Sequence, residues 1–97
     1  MAAPPYYVYV LTNAHRTVLY VGMTNDLRRR LRQHREGRGD AFTAQYNAFD
    51  LVYFERHATS TEAIEREKQL KQWGREKKEA LIQSDNPDLA SLSPPID

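Results

Sequence analysis

The chain has 97 residues, with 14 basic and 13 acidic side chains and no cysteine. That length predicts one domain burying about 60–65 % of its unfolded surface around one modest core. The missing thiols exclude disulfides and thiolate metal sites. The net charge is +1, but residues 15–38 carry Arg16, Arg28, Arg29, Arg30, Arg32, Arg35 and Arg38 against Asp26 and Glu36, a local balance of +5. An arginine patch in a near-neutral protein suits a phosphate-bearing partner, the bland alternative being a solvated helix face.

Residues 1–5 lack the basic stretch of a signal peptide. The apolar run at residues 6–11 is too short for a signal core or a bilayer span, so a cytoplasmic protein without membrane contact is expected. Residues 6–12 are β-branched and aromatic with no helical period, and read as a buried strand. A polar turn follows, and residues 18–21 form a second strand, making an antiparallel hairpin. Gly22 ends that strand, where a missing side chain lets backbone or ligand approach closely. Thr24 or Asn25 is the expected N-cap of a helix with Asp26 in its first turn. Leu27, Arg30, Leu31 and His34 then fall on one inward stripe. Arg28 and Arg32 project to its flank, and Arg29 points nearly opposite. Gly37 and Gly39 stop the helix.

Residues 37–47 read as a loop in which Phe42, Thr43, Gln45 and Tyr46 could form a turn. Residues 49–55 are the third strand. Thr59-Ser60-Thr61-Glu62 is a capping box that opens the next helix. Ala63, Ile64 and Leu70 give that helix its apolar stripe, with Glu67 among them and Lys71 one turn on. Gly74 interrupts the pattern after Trp73, and residues 75–83 continue as a short helix. Prolines and serines make residues 84–97 a loose tail, leaving residues 1–83 as the domain. The order predicts an α+β domain, a small three-stranded antiparallel sheet flanked by helices.

Several residues could carry chemistry. Arg30 and His34 place a guanidinium and an imidazole where the stripe calls for leucine. A buried charge is costly unless paired, so Arg30 needs an internal carboxylate or a bound phosphate. His34 could bond the same phosphate or move a proton; the simpler alternatives are a snorkelling arginine and a helix-end cap. Glu67 is an acid on an apolar stripe, either paired with Lys71 or holding a metal ion. Tyr9 and Tyr20 alternate so that both can face one side of the hairpin. A phenol is a poor base at neutral pH unless a neighbouring cation stabilises the phenolate. The remaining tyrosines suit packing, with Tyr46 a candidate for lining the site. His15, His34 and His57 lack zinc-ligand spacing.

The ordered set resembles the GIY-YIG endonuclease family over roughly residues 6–75. It comprises Tyr7-Val8-Tyr9, Tyr20-Val21-Gly22, Arg30 eight residues beyond that glycine, His34, and Glu67. The likeness is greatest to small stand-alone bacterial members. It implies a three-stranded sheet flanked by helices and one Mg²⁺ or Mn²⁺ on Glu67, bound weakly without substrate. It also implies that Arg30 grips the scissile phosphate, that Tyr9 is the base activating water, and that Tyr20 and His34 complete the site. Arg28, Arg29 and Arg32 would contact nucleic acid, DNA in preference to RNA, and Gly22 would be structural. The chain departs from the family pattern where Tyr7 replaces the first triplet's glycine and where Met23 stands in place of a lysine found in some relatives. No zinc finger, helix-turn-helix or second nuclease domain follows, so either weak selectivity or targeting by a protein partner is expected. The leading expectation is a metal-dependent endonuclease that nicks one strand. The competing ones are a catalytically weak nucleic-acid-binding module acting with a partner, and a purely structural interaction protein.

Overall fold

The computed structural model describes residues 5–95. Residues 1–4 of the expected domain and residues 96–97 of the expected tail lie outside the described residues. The elements run β1 (Tyr6–Thr12), β2 (Leu19–Thr24), α1 (Leu27–Arg35), α2 (Ala41–Tyr46), β3 (Asp50–His57), α3 (Ser60–Gln72) and α4 (Arg75–Asp85). The sheet is antiparallel in the order β2-β1-β3. Its central strand is β1, paired on both edges, and Tyr7 through Thr12 are all buried. This explains the unbroken apolar run, because a strand covered on both faces needs no polar alternation.

The two faces carry separate cores. Val8, Val10, Val21, Val52 and Tyr53 pack against Ala63 and Leu70 of α3, Ile82 of α4, and Leu89. Tyr7, Tyr9, Leu11 and Leu51 pack against Leu27 and Leu31 of α1. Register sets the site side: Tyr9 lies opposite Gly22, and Leu11 opposite Tyr20. Cross-strand partners share a face, so both phenols point toward α1.

Several expectations need correction. The N-cap of α1 is Asp26 rather than Thr24 or Asn25; its carboxylate accepts from the Arg29 amide at 3.1 Å. The segment 41–46 is the helix α2, capped by Asp40 and closed by Asn47 at φ 54. Ile64 is exposed, because only Ala63 and Leu70 of α3 reach the core. The described part of the tail is docked. Buried Asn86 donates to the carbonyls of Val52 (3.0 Å) and Ala90 (2.8 Å), and the Leu92 amide donates to the Leu51 carbonyl at 2.7 Å. Arg16 bonds the Leu89 carbonyl and forms an ion pair with Asp50 at 2.7 Å, so this member of the basic patch acts inside the fold.

Candidate active site

Local structure places each site residue for a physical reason. Tyr9 lies flat across the neighbouring strand because Gly22 has no side chain. A Cβ there would stand 2.6 Å from both Cζ and Oη of Tyr9. His34 comes from the last turn of α1 and is fully buried. Gly39 makes room for it, since a Cβ at that position would meet His34 Nδ1 at 2.2 Å.

Both ring nitrogens of His34 are engaged. Nε2 lies 2.9 Å from Tyr9 Oη, and Nδ1 lies 2.8 Å from Thr43 Oγ1. The Thr43 hydroxyl donates to the Asp40 carbonyl at 2.8 Å. A hydroxyl has one proton to give, so Thr43 can only accept from the ring, and Nδ1 carries the hydrogen. Nε2 is therefore an acceptor, and Tyr9 donates to it. The chain runs Tyr9 to His34 to Thr43 to the Asp40 backbone, with every proton assigned by the last link. Both ring nitrogens of His34 are thus occupied within the protein, and its link toward the cleft runs through the Tyr9 hydroxyl.

The electrostatics match that arrangement. Burial first, and the Arg30 charge second, push the His34 pKa down from 6.5 to about 4, with Asp40 opposing. The imidazole is thus neutral at pH 7, as an acceptor must be. Burial raises the Tyr9 phenol well above its ordinary value, with Arg30 pulling it back and Glu67 adding to the rise. Tyr20 is raised by burial and by the Asp40 carboxylate, with Arg30 opposing and Glu67 adding. Arg30 and Glu67 therefore both lie within electrostatic reach of both phenols, as one shared site requires.

Arg30 is half-buried and donates to Gln33 Oε1 at 3.1 Å. It has no ion pair among the described residues, so the internal carboxylate that would neutralise it is not supplied. Glu67 sits between Ala63 and Leu70 on the inward stripe of α3 and pairs with Lys71 at 3.5 Å. The next residue back, Arg66, anchors that helix by bonding Glu55 with Nε (3.0 Å) and Nη2 (2.9 Å). Tyr53 also donates to Glu55, at 2.6 Å. Burial would raise the Glu55 carboxyl, but the Arg66, Tyr53 and His57 bonds outweigh it and hold it below the usual range.

The expected nucleic-acid arginines separate in space. Arg29 shares a polar cleft with Arg30, Asp26 and Gln33. Arg28 and Arg32 line another groove with Leu92 and Pro94, on the flank covered by the C-terminal segment. Sequence reasoning missed Gly39, Asp40 and Thr43, all of which shape the imidazole. Asp40 had a legible signal as the cap of α2. Thr43 did not.

A sheet carrying two neighbouring phenols, a buried imidazole, a half-buried arginine and a helix-borne glutamate defines the class. Residues 5–80 match the family described as the GIY-YIG catalytic domain, and the chain belongs to that nuclease family. Its relatives include the UPF0213 protein of Bacillus pumilus (strain SAFR-032), 41% identical over 78 residues, which are 80% of this chain and 79% of that protein. A UPF0213 protein of Natronomonas pharaonis is 39% identical over 80 residues, 82% of this chain and 93% of that one. The fold matches the solution NMR structure of a UPF0213 protein from Bacillus halodurans, with a TM-score of 0.57 and 30% identity. That match covers 88% of this chain and 89% of the other. Among the described residues no helix is long and apolar enough to cross a membrane.

Proposed function

We propose that this chain is a divalent-metal-dependent endonuclease that hydrolyses phosphodiester bonds in DNA by one-step attack of water, nicking one strand. The observation that carries the reading is the buried Tyr9–His34 hydrogen bond beside an arginine that lacks a carboxylate partner among the described residues. Arg30 grips the scissile phosphate and offsets charge that grows in the transition state. Tyr9 takes a proton from the attacking water as its own proton passes to His34 Nε2. The new P–O bond forms, and the leaving oxygen departs with a proton from solvent. No free phenolate is needed, which matters because burial disfavours one. Phosphate on Arg30 also cancels part of the charge that depresses His34, making the imidazole a better acceptor when substrate is present.

The metal reading fits the donor set. Among the described residues no three His, Asp or Glu side chains gather. One carboxylate suits Mg²⁺ or Mn²⁺, which keeps its waters and completes its shell with substrate phosphate. A bound ion would supply Lewis-acid polarisation of that phosphate. Weak binding without substrate follows, since Glu67 must also release Lys71.

The 1% exposure of Tyr9 favours the second reading, a binding module acting with a partner, because water must reach its hydroxyl. One assay separates the two. With Mg²⁺ or Mn²⁺, supercoiled plasmid should become open-circular, and Glu67→Ala should abolish this while still binding DNA. Binding without nicking by the wild-type protein would leave the module reading.

A further inference from the structure

Phe42 and Tyr46 expose large rings, 37% and 43%, and neither belongs to the two cores. They continue a series that starts inside the site. Tyr9 and Tyr20 have ring centroids 6.4 Å apart. Tyr20 and Phe42 are stacked at 6.2 Å with planes 24° apart, and Phe42 and Tyr46 follow at 4.8 Å. The middle members of the series, Tyr20 and Phe42, line an open groove together with Leu19, Val21, Lys71 and Lys78. Lys71 is also the ion-pair partner of Glu67. The groove is therefore lined by apolar, aromatic and cationic side chains, and it adjoins the candidate catalytic residues through Tyr20 and the Lys71–Glu67 pair.

We propose that this ladder is a subsite for an unpaired nucleobase flanking the scissile phosphate, with Lys71 and Lys78 holding the adjoining phosphates. The proposal rests on the nuclease reading and names its substrate class: a strand that is single-stranded, or unpaired next to the cut. Every base offers a π-face, so aromatic stacking is tolerant of sequence and combines naturally with a cationic track. A base inside a duplex is already stacked on both faces and cannot lie against Phe42. The cationic lining favours nucleic acid over an apolar peptide, which would leave the Lys78 ammonium unmatched and Lys71 paired with Glu67 alone.

The test is fluorescence anisotropy in EDTA, using a short fluorescein-labelled DNA strand and the same strand annealed to its complement. Wild-type protein should bind the single strand more tightly. Tyr46→Ala and Phe42→Leu should each weaken that binding about tenfold and leave duplex binding unchanged. Phe42→Trp should restore it, which excludes a mere folding defect, because leucine and tryptophan both keep an apolar side chain. Loss of single-strand and duplex binding together, no loss in either, or a wild-type preference for duplex would overturn the proposal. Metal-free binding is independent of cleavage, so this outcome and that of the nicking assay can differ.

Discussion

The burial of His34 makes a quantitative prediction about pH. The folded pKa lies at about 4 against an ordinary 6.5. At about 1.4 kcal/mol per unit, the difference corresponds to roughly 3 kcal/mol. The unfolded chain takes up a proton near pH 6.5, whereas the folded chain resists until near pH 4. Between these values the unfolded state binds more protons, so stability falls as pH drops through the window. Above pH 7 this contribution is flat. The perturbation is His34→Gln, which keeps a neutral polar side chain but cannot titrate. Urea denaturation of both proteins across the window, taken as a difference, removes the carboxylates they share. The wild type should lose about 3 kcal/mol more than the variant on acidification, a large share of a small domain's stability. Parallel curves would mean that His34 is not buried neutral, and the proton assignment along Tyr9, His34 and Thr43 would fail with it.

Gly39→Ala should displace the imidazole, because its Cβ would sit 2.2 Å from Nδ1. Thermal unfolding should show a loss of about 1–3 kcal/mol, with cleavage falling in parallel. Tyr7→Phe should be neutral or stabilising by up to about 1 kcal/mol in chemical denaturation, since the Tyr7 hydroxyl is buried with no partner among the described residues. Arg29→Gln should weaken DNA binding and reduce the slope of log K against log salt by about 0.9, whereas Arg28→Gln with Arg32→Gln should do less in a filter-binding titration. Equal effects from both flanks would place the DNA path across the C-terminal segment instead.

The strands and long helices were legible because each has a strong period or cap. Residues 6–12 are apolar throughout, and Thr59 caps α3 as the sequence indicates, accepting from the Glu62 amide at 3.2 Å. Of the residues singled out by spacing, Tyr9, Tyr20, Gly22 and His34 meet directly, and Arg30 and Glu67 lie within electrostatic reach of both phenols. What was not legible depends on contacts distant in sequence. Segment 41–46 is too short for a helical period to show. Thr43 matters only because α2 folds back onto the end of α1. Gly39 looks like a helix stop, yet its consequence is the space left for an imidazole five residues earlier. The docked tail depends on Asn86 meeting the Val52 carbonyl across 34 residues, which no local pattern encodes. Arg16 reads as one more basic surface residue, and only the fold reveals Asp50 and Leu89 as its partners.

The central claim is that the phenol bonded to His34 is the group that accepts water's proton. Single-turnover cleavage by Tyr9→Phe, with Tyr20→Phe alongside, tests it most directly. The substitution keeps the packed ring and removes only the hydroxyl. It leaves Nε2 without its donor, a stability cost of about 1–3 kcal/mol that denaturation can measure separately. The account predicts a fall of about 10²–10⁴ in the cleavage rate for Tyr9→Phe, with DNA affinity retained. Near-native cleavage by Tyr9→Phe together with a dead Tyr20→Phe would contradict it, and would assign the base to the more exposed phenol.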